Sequence, residues 1–317
     1  MMILILNEFK PIKTRKMKTL KTIFTLLILI TVASCSDDND TNNMATGNLT
    51  VELSDAPMHY NQFSQANITI DHMDIRNSSN GNSFTMLTNN PMHSNLLELV
   101  NGKTETIANM DLPEGNYDMM RLYISSTEMV MNNGNSYSYN VAQHGYSGGG
   151  MMGNGMMANN DGGIDIPLAH PLTISNGSHH QYLLDIDVDN SFVLEDAVYT
   201  GMGPGMTMAM SGFTFTPMMR FVDMETAGTL KGTVHGDQGD LAHVTISLMQ
   251  DGKVYTSTHT DGNGHYALIG IPEGSYTIMA EYEGYMMSST GNDGNMGTME
   301  MMPGMTLPVD FNMIPAN

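Results

Sequence analysis

Alternating apolar and polar residues dominate the chain from residue 47 onward. Leu49-Thr50-Val51-Glu52-Leu53 follows the two-residue period of a half-buried strand, and Ser54-Asp55-Ala56-Pro57 ends it with turn chemistry. No segment sustains an apolar 3.6-residue period long enough to predict a helix. Further strands are predicted at Ile68–Ile75, Phe84–Leu87, Leu96–Val100, Asp118–Ser125, Tyr182–Val188 and Phe213–Val222. Many short strands separated by turn signals predict an all-β protein built from β-sandwiches.

The pattern changes at Met224-Glu225-Thr226-Ala227-Gly228, which predicts a domain boundary. Residues 47–224 and 227–317 are therefore predicted to form two β-sandwich domains of the Ig or transthyretin-like class. In the last predicted strand Leu307, Val309, Phe311 and Met313 share one face. The second domain's predicted strands are Leu230–Val234, Ala242–Met249, Val254–Thr260, Tyr266–Ile269, Tyr276–Glu281 and Leu307–Met313.

One short motif occurs in both predicted domains. Leu112-Pro113-Glu114-Gly115-Asn116-Tyr117 is echoed by Ile271-Pro272-Glu273-Gly274-Ser275-Tyr276. In each copy Pro fixes φ and Gly supplies an open backbone conformation, so both are predicted to be tight turns that lead into a strand bearing Tyr. The echo suggests that the two domains are sandwiches of related class.

The residues before Cys35 have the parts of a secretory signal. Six Lys and Arg residues, the apolar run Ile23–Ile30 and a small-residue exit precede this cysteine. We predict a signal peptide over 1–34, with Met17 as an alternative start, because the apolar run is shorter than the roughly 20 residues of a spanning helix.

Val32-Ala33-Ser34-Cys35 resembles the lipobox of bacterial lipoproteins. This resemblance implies that Cys35 is lipidated and becomes the first residue of the mature chain, with 35–46 as an acidic tether. Ser36-Asp37-Asp38-Asn39-Asp40 is similar to the export tag of Bacteroidetes-type surface lipoproteins, which implies an outer-membrane or cell-surface location. The alternative is a free cysteine beside an ordinary cleavage site.

Charge and cysteine usage restrict the partners of the mature chain. From Cys35 onward 32 acidic residues face 6 Lys and Arg, so the chain repels phosphate backbones and no nucleic-acid partner is expected. No cysteine follows Cys35, which excludes disulfides and thiolate metal sites.

Two segments resemble known families. Gly232-Thr233-Val234, Val244-Thr245-Ile246, Thr260–Tyr266 and Gly284-Tyr285 resemble the carboxypeptidase regulatory-like domain over 228–285. The resemblance implies a transthyretin-like, carbohydrate-binding-like fold that commonly serves as a spacer or adhesion element. Residues 47–222 resemble the DUF4382 domain of bacterial lipoproteins, and this implies architecture without an activity. That resemblance rests on Gly47–Pro57, Asn95–Leu99, Leu112–Tyr117 and Leu184–Val188.

Methionine is unusually frequent, with 34 residues, 31 of them after Cys35. Thioethers are soft ligands that select Cu(I) and, by extension, Ag(I), so Met-rich loops and Met-His pairs predict a soft-metal site. Three alternatives stay open: core filling by an adaptable side chain, compositional bias, and a sink for oxidants. The candidate ligands are Met58, His59, Met92, His93, His144, Met151, Met152, Met156, Met157, Met202, Met206, Met208, Met210, Met296, Met299, Met301, Met302 and Met305.

A calcium loop is a weaker candidate. Asp185, Asp187 and Asp189 recur at every second residue, but Leu184, Ile186 and Val188 alternate with them and the glycine and final glutamate of a calcium loop are missing. A strand with a solvated acidic face is therefore the preferred interpretation.

Catalysis is not expected from the remaining motifs. Gly145-Tyr146-Ser147-Gly148-Gly149 matches a nucleophile elbow, but a glycine run follows where that motif needs a helix.

We therefore predict a non-enzymatic protein that binds or scaffolds, with surface glycan as the alternative ligand to a soft metal. Because Trp is absent, sugar stacking would use Tyr137, Tyr139, Tyr146, Tyr282 and Tyr285.

Overall fold

A computed structural model describes residues 45–56, 62–146, 155–159, 161–200, 207–287 and 298–316. Nearly all regular structure in these residues is β, which confirms the predicted all-β class. No helix among the described residues has the length and hydrophobicity needed to cross a membrane. The longest helices are single turns, α1 (Val141–His144) and α2 (Val188–Ser191).

Fifteen strands precede residue 224 in the part of the chain that the structure describes. They are β1 (Thr46–Ala56), β2 (Phe63–Asn77), β3 (Ser83–Thr88), β4 (Met92–Asn95), β5 (Glu105–Pro113), β6 (Gly115–Met131), β7 (Ser136–Asn140), β8 (Met157–Ala158), β9 (Gly163–Ile174), β10 (His179–Asp187), β11 (Phe192–Glu195), β12 (Val198–Thr200), β13 (Thr207–Ala209), β14 (Gly212–Phe215) and β15 (Met219–Asp223).

These strands form two main sheets and two small hairpins. The smaller main sheet has the order β15-β10-β1-β5, with β1 and β10 parallel and the other pairs antiparallel. The larger sheet has the order β3-β2-β6-β9-β8, and β4 and β7 add to β2 and β6. The hairpins are β11–β14 and β12–β13.

The two main sheets enclose one hydrophobic core. Leu49, Val51 and Leu53 of β1 belong to the same buried cluster as Ile68 of β2 and Leu122 of β6. Strand side chains alternate between faces, so β2 and β6 bury roughly every second residue. On β1 the residues from Val51 to Asp55 are all buried, with Glu52, Ser54 and Asp55 as its buried polar residues.

From Gly228 onward, the described residues contain ten strands, which build a second core. They are β16 (Gly228–Gly236), β17 (Gly239–Asp240), β18 (Thr245–Gln250), β19 (Lys253–His259), β20 (His265–Ile271), β21 (Gly274–Glu281), β22 (Tyr285–Met287), β23 (Met299–Met301), β24 (Thr306–Pro308) and β25 (Phe311–Pro315). One sheet has the order β17-β16-β25-β22, with β20 and β24 also beside β16, and the other has the order β19-β18-β21-β23. Between them lies a core that includes Leu230, Ile246 and Phe311. The exact domain bounds 47–224 and 227–317 stay predictions.

The repeated turn motif has the same geometry in both cores. Tyr117 and Tyr276 are buried, and their hydroxyls donate to the carbonyls of Pro113 and Pro272 at 2.9 and 3.2 Å. This local bond from a strand tyrosine to the preceding turn resembles the tyrosine corner of Greek-key sandwiches. The sequence echo therefore reflects one structural device used twice.

Several predicted strands end earlier than the alternation suggested. Leu96–Val100 is not a strand: Leu96–Glu98 is a 3₁₀ turn, because the Asn95 side chain accepts from the Leu97 amide at 3.3 Å and caps it. The predicted strand Tyr182–Val188 ends at Asp187, whose carboxylate caps α2 in the same way. The segments Phe213–Val222 and Leu307–Met313 each divide into two strands near a proline, which has no N–H to donate to a ladder.

A buried ion pair joins the strands of the two cores. The Arg220 Nε of β15 donates to Asp185 Oδ2 of β10 at 2.9 Å, and Nη1 donates to the Gly270 carbonyl of β20 at 3.4 Å. The guanidinium carbon lies 4.3 Å from the ring centroid of Tyr255 on β19. Burial alone would lower the pKa of Arg220, but Asp185 raises it overall, so the side chain stays charged.

Two further contacts reinforce this junction. Leu183 and Val222 form a small buried cluster with Ala227, and Ile269 packs against it. Asn101, in the turn before β5, receives a hydrogen bond from the Ala267 amide at 2.5 Å. The junction thus combines apolar burial with backbone hydrogen bonding.

Replacing Arg220 with Met is expected to destabilise the protein by about 3–5 kcal/mol, because Asp185 would remain buried without its counter-charge. The free energy of unfolding is measured by urea titration, followed by far-UV circular dichroism. Arg76→Met is the matched control: Arg76 and its partner Asp118 are 28% and 29% exposed, and such pairs contribute about 0–1 kcal/mol. Equal losses for the two variants would contradict this account of the junction.

Candidate functional site

One face of the large sheet is mostly polar, although Val130 of β6 also lies on it. The longest strands, β2 and β6, bury Ile68, Ile70 and Leu122 on their inner face. Their polar, half-buried outward residues define what we call the polar sheet face. On β2 these are Asn67, Thr69, His72, Asp74 and Arg76, and on β6 they are Asp118, Arg121, Tyr123, Ser126 and Glu128.

A cleft of about 520 Å³ lies at one end of the polar sheet face. Every residue that lines it is polar, which is unusual because ligand pockets are mostly apolar. The lining residues are Asn67, Thr69, His93, Ser94, Asn95, Ser126, Thr127, Glu128 and Ser138.

Strand register places the cleft residues in two rows. Thr69 of β2 lies opposite His93 of β4 and Ser126 of β6. In the neighbouring row Asn67 lies opposite Asn95 and Glu128, and Ser138 of β7 extends this row. Four adjacent strands therefore present polar side chains at the same level of the sheet.

Hydrogen bonds hold these side chains in place. Ser126 Oγ donates to Thr69 Oγ1 at 3.2 Å, and Thr69 Oγ1 lies 2.9 Å from His93 Nδ1. Asn67 Nδ2 donates to Glu128 Oε2 at 3.0 Å. The cleft is thus preorganised, with hydroxyl, amide, carboxylate and imidazole groups at fixed positions on rigid strands.

An aromatic pair follows the cleft along the same strands. The rings of His72 and Tyr123 stack with centroids 3.8 Å apart and an interplanar angle of 16°. Between the cleft and this pair, the β2–β6 ladder has register shifts at Thr69/Ile70 and Ile70/His72. Such bulges change the direction of the side chains and increase the local twist of the strands. The Tyr123 hydroxyl donates to Asp161 Oδ2 at 3.4 Å, and burial raises the pKa of Tyr123.

Two arginine–carboxylate pairs complete the polar sheet face. Arg121 donates two hydrogen bonds to Asp165, at 2.5 and 3.1 Å, and Arg76 donates two to Asp118, at 2.8 and 3.0 Å. The two parallel hydrogen bonds of a bidentate pair fix the orientation of both side chains. The guanidinium carbon of Arg121 also lies 4.1 Å from the ring centroid of Phe84.

Side chains at the centre of this face are tightly packed around Gly163. A Cβ on Gly163 would lie 2.8 Å from Asn159 Nδ2 and 3.0 Å from both Arg121 and Tyr123, so a larger residue would displace these side chains. Burial raises the pKa of Asp74, although His72 and Arg121 oppose the shift.

The predicted soft-metal ligands are dispersed in the structure. Four of the methionines are buried in the two cores: Met156, Met208, Met210 and Met301. Three others are half-buried against a core: Met92, Met299 and Met305. Only two of the described candidates have exposed thioethers, Met157 at 48% and Met302 at 60%. Core filling is therefore the role of most described candidates.

The histidine candidates are also separated from sulfur ligands. His93 lies in the polar cleft, whereas Met92 is the preceding residue of β4 and points to the opposite face. His144 Nδ1 lies 3.0 Å from the Asn140 carbonyl, and its ring packs against Tyr139. The remaining candidates and the predicted lipidation site lie outside the described residues: Cys35, Met58, His59, Met151, Met152, Met202, Met206 and Met296.

The three aspartates of the calcium candidate have different structural roles. Asp185 is buried against Arg220, and Asp187 caps α2 and accepts from Asn190. Asp189 belongs to the helical turn itself. Within the described ranges, no group of three or more His, Cys, Asp or Glu side chains is arranged to hold a metal ion.

Of the predicted sugar-stacking tyrosines, three pack against the first core. Tyr137, Tyr139 and Tyr146 donate their hydroxyls to the carbonyls of Met210, Gly145 and Gly162, each at 3.0 Å. Tyr282 and Tyr285 lie together, with ring centroids 5.4 Å apart, and Tyr282 is 36% exposed.

The polar sheet face itself was not predicted from the sequence. Thr69 lies at an outward position of the predicted strand Ile68–Ile75. Asn67, Ser126 and Glu128 lie beyond the predicted strand bounds, because β2 and β6 are longer than their apolar residues predicted. The available signal was the polar half of the same alternation, but a strand pattern does not say which strands become neighbours.

The comparisons with solved structures found low overall likeness. The chain is 14% identical to 3-chlorocatechol 1,2-dioxygenase from Rhodococcus opacus 1CP, over 29% of this chain and 61% of that one, with a TM-score of 0.21. The Bacillus anthracis TIE protein shows 11% identity over 96% and 63%, with a TM-score of 0.23. The chain thus covers less than two thirds of either protein.

The shaft pilin SpaA from Lactobacillus rhamnosus GG shows 10% identity over 86% of this chain and 98% of the pilin, with a TM-score of 0.25. Likenesses at this level carry no information about function.

Curated proteins gave no match. Two family models match the sequence, in the order predicted. Residues 46–202 match the domain of unknown function DUF4382, and residues 229–313 match the carboxypeptidase regulatory-like domain.

Proposed function

We propose that this protein is a non-enzymatic, lipid-anchored protein of the bacterial cell envelope that binds carbohydrate on its polar sheet face. The observation that carries the proposal is the cleft of about 520 Å³ whose lining consists entirely of polar residues. A ligand rich in hydroxyls would match it, because each such group both donates and accepts a hydrogen bond.

The arrangement of the polar side chains in the cleft, as well as their chemical types, supports a sugar as the ligand. Hydroxyls, amides and a carboxylate alternate over neighbouring strands, so a polyhydroxylated ligand would find a donor or acceptor at each level of the sheet. The stacked pair of His72 and Tyr123 continues the surface with an aromatic patch. Aromatic side chains add apolar contact area to polar recognition at little entropic cost.

The matched families are compatible with a binding role. One model describes a domain of unknown function and the other a regulatory-like domain, and neither description names a catalytic activity. A carbohydrate-binding or adhesive surface protein would need a rigid display scaffold, which the paired sheets supply.

Removing a cleft hydrogen bond is expected to weaken glycan binding. After a glycan array identifies a ligand, Asn67→Ala and Glu128→Gln should each lower its affinity about tenfold or more, measured by calorimetry, because each leaves a ligand group unpaired. Asn312→Ala and Glu281→Gln are matched controls at exposed positions of β25 and β21. An array with no hits, or variants that bind like their controls, would exclude the cleft as the site.

The anchor is proposed from the sequence alone, since Cys35 lies outside the described residues. Two or more acyl chains hold a protein stably at a membrane where a single chain does not. Lipidation would also leave the mature chain without a thiol, because Cys35 is its one cysteine.

Cys35→Ser is expected to abolish acylation and release the protein from the membrane fraction. Labelling of the producing bacterium with a clickable fatty acid reports acylation, and fractionation followed by immunoblotting reports location. Ser36→Ala serves as the control that keeps the cysteine. A Cys35→Ser protein that still takes up the label would rule out this anchor.

Capture of Cu(I) or Ag(I) is a second candidate function. It is favoured by the accessible thioethers of Met157 and Met302, each of which borders a Met-rich segment. Several thioethers that converged from these glycine-rich sequences would suit a soft ion. The buried methionines would take no part.

Leucine substitutions can separate the methionines of the Met-rich segments from those buried in the cores. Replacing Met151, Met152, Met202 and Met206 by Leu should lower the number of Ag(I) ions bound in a calorimetric titration. The same replacement at the buried Met156, Met208, Met210 and Met301 should leave that number unchanged, since it conserves volume in the core. No binding heat, or an equal effect of both sets, would remove the metal hypothesis while leaving glycan binding untouched.

A further inference from the structure

We infer that the polar sheet face selects an uncharged glycan chain and excludes acidic ones. This inference rests on the proposed carbohydrate-binding function and adds the chemical class of the ligand. It follows from a count of the positive charges that the mature chain has and from where each of them lies.

The mature chain has only six side chains that are positive at neutral pH. They are Arg76, Lys103, Arg121, Arg220, Lys231 and Lys253. All six belong to the described residues, so their positions account for every Lys and Arg after Cys35. Among side chains, these cations are best suited to bind a carboxylate or sulfate of a glycan, because they form charge-assisted hydrogen bonds with it.

The two arginines on the polar sheet face are already engaged. Arg76 is bound by both oxygens of Asp118, and Arg121 is bound by both oxygens of Asp165. Arg121 Nη1 also lies 3.8 Å from Asp161. A ligand carboxylate would have to displace a bidentate partner that belongs to the same rigid sheet.

The other four cations lie elsewhere. Arg220 is buried against Asp185 at the junction of the two cores. Lys231 and Lys253 belong to β16 and β19 of the second core. Lys103 lies in the turn before β5, where it acts electrostatically on Asp261. None of these four lines the cleft.

Negative charge dominates the polar sheet face and its border. Five carboxylates, those of Asp74, Asp118, Asp161, Asp165 and Glu128, accompany the two paired guanidinium groups. Glu128 is the carboxylate in the cleft, and its partner there is the neutral amide of Asn67. Like charges brought together at an interface disfavour binding strongly, so an acidic sugar is rejected without a specific clash.

Neutral sugars meet no such barrier. The cleft offers them the hydroxyls of Thr69, Ser126 and Ser138 and the side-chain carbonyl of Asn67. From Asn67 to Asp74 the strand extends roughly 20 Å, which suits a chain of several sugar units lying along β2 and β6.

The decisive experiment compares pairs of polymers that share a backbone and differ in charge. The full-length mature protein is tested by affinity electrophoresis against dextran and carboxymethyl dextran, and against methyl-esterified and de-esterified pectin. The same comparison is made with a neutral polymer identified on the array and its carboxymethylated form. For each backbone that binds, we expect the uncharged polymer to bind about tenfold or more tightly than its charged form at low salt. The preference should shrink as salt is added, since screening weakens charge repulsion.

Charge reversal in the cleft tests the cause. Glu128→Lys should narrow the preference for uncharged polymers, whereas Glu281→Lys, which makes the same change of net charge on β21, should leave it intact. Equal or tighter binding of the charged polymers by the unmodified protein would overturn this inference and leave carbohydrate binding standing. Binding of neither form of any backbone would overturn both proposals, and an equal effect of the two reversals would place the selectivity outside the cleft.

Discussion

The buried pair of Arg220 and Asp185 is the interaction on which the described architecture depends most. Arg220 is on β15, the last strand before those of the second core. Its guanidinium donates hydrogen bonds to Asp185 and to the Gly270 carbonyl, and it also packs on the Tyr255 ring. Without disulfides, this chain has to join its two cores by packing and polar contacts. A buried charge of this kind is tolerated only when its partners are fixed, so the pair demands that β10, β15, β19 and β20 keep their relative positions.

The same rigidity makes the polar sheet face suitable for recognition. Long strands such as β2 and β6 are stabilised from one side by the core, and this support lets the other side present polar groups that contribute little to burial. The two tyrosine corners act at the turns that begin β6 and β21. They couple each turn to its strand, so the register of the exposed residues follows from that of the buried ones.

Sequence patterns were sufficient to predict the β class, most strands and the repeated turn, because these depend on local alternation and turn chemistry. They were insufficient where a side chain competes with the backbone. Asn95 and Asp187 each cap a helical turn that shortens or replaces a predicted strand, although their neighbours are apolar. The methionines show a second limit. The adaptable side chains of Met156, Met208 and Met301 fill the cores, and the high frequency of methionine did not reveal which methionines would be buried. The cleft was missed for a third reason: it depends on β4 and β7 pairing beside β2 and β6, which is a matter of non-local register.

The small number of Lys and Arg side chains affects both the fold and the contacts that the polar sheet face could make with the proposed ligand. Each of the three arginines after Cys35 is held by an aspartate through two guanidinium nitrogens. From Cys35 onward 32 acidic residues outnumber 6 Lys and Arg, and an excess of negative charge of this size repels anionic surfaces and polymers at long range. At short range the same pairing means that polar contact on the sheet face must come from hydroxyls, amides and carboxylates. Under the proposed function, recognition on this face would depend on the hydroxyl pattern of the ligand, because none of the three arginines after Cys35 has a free guanidinium with which to bind a negative charge.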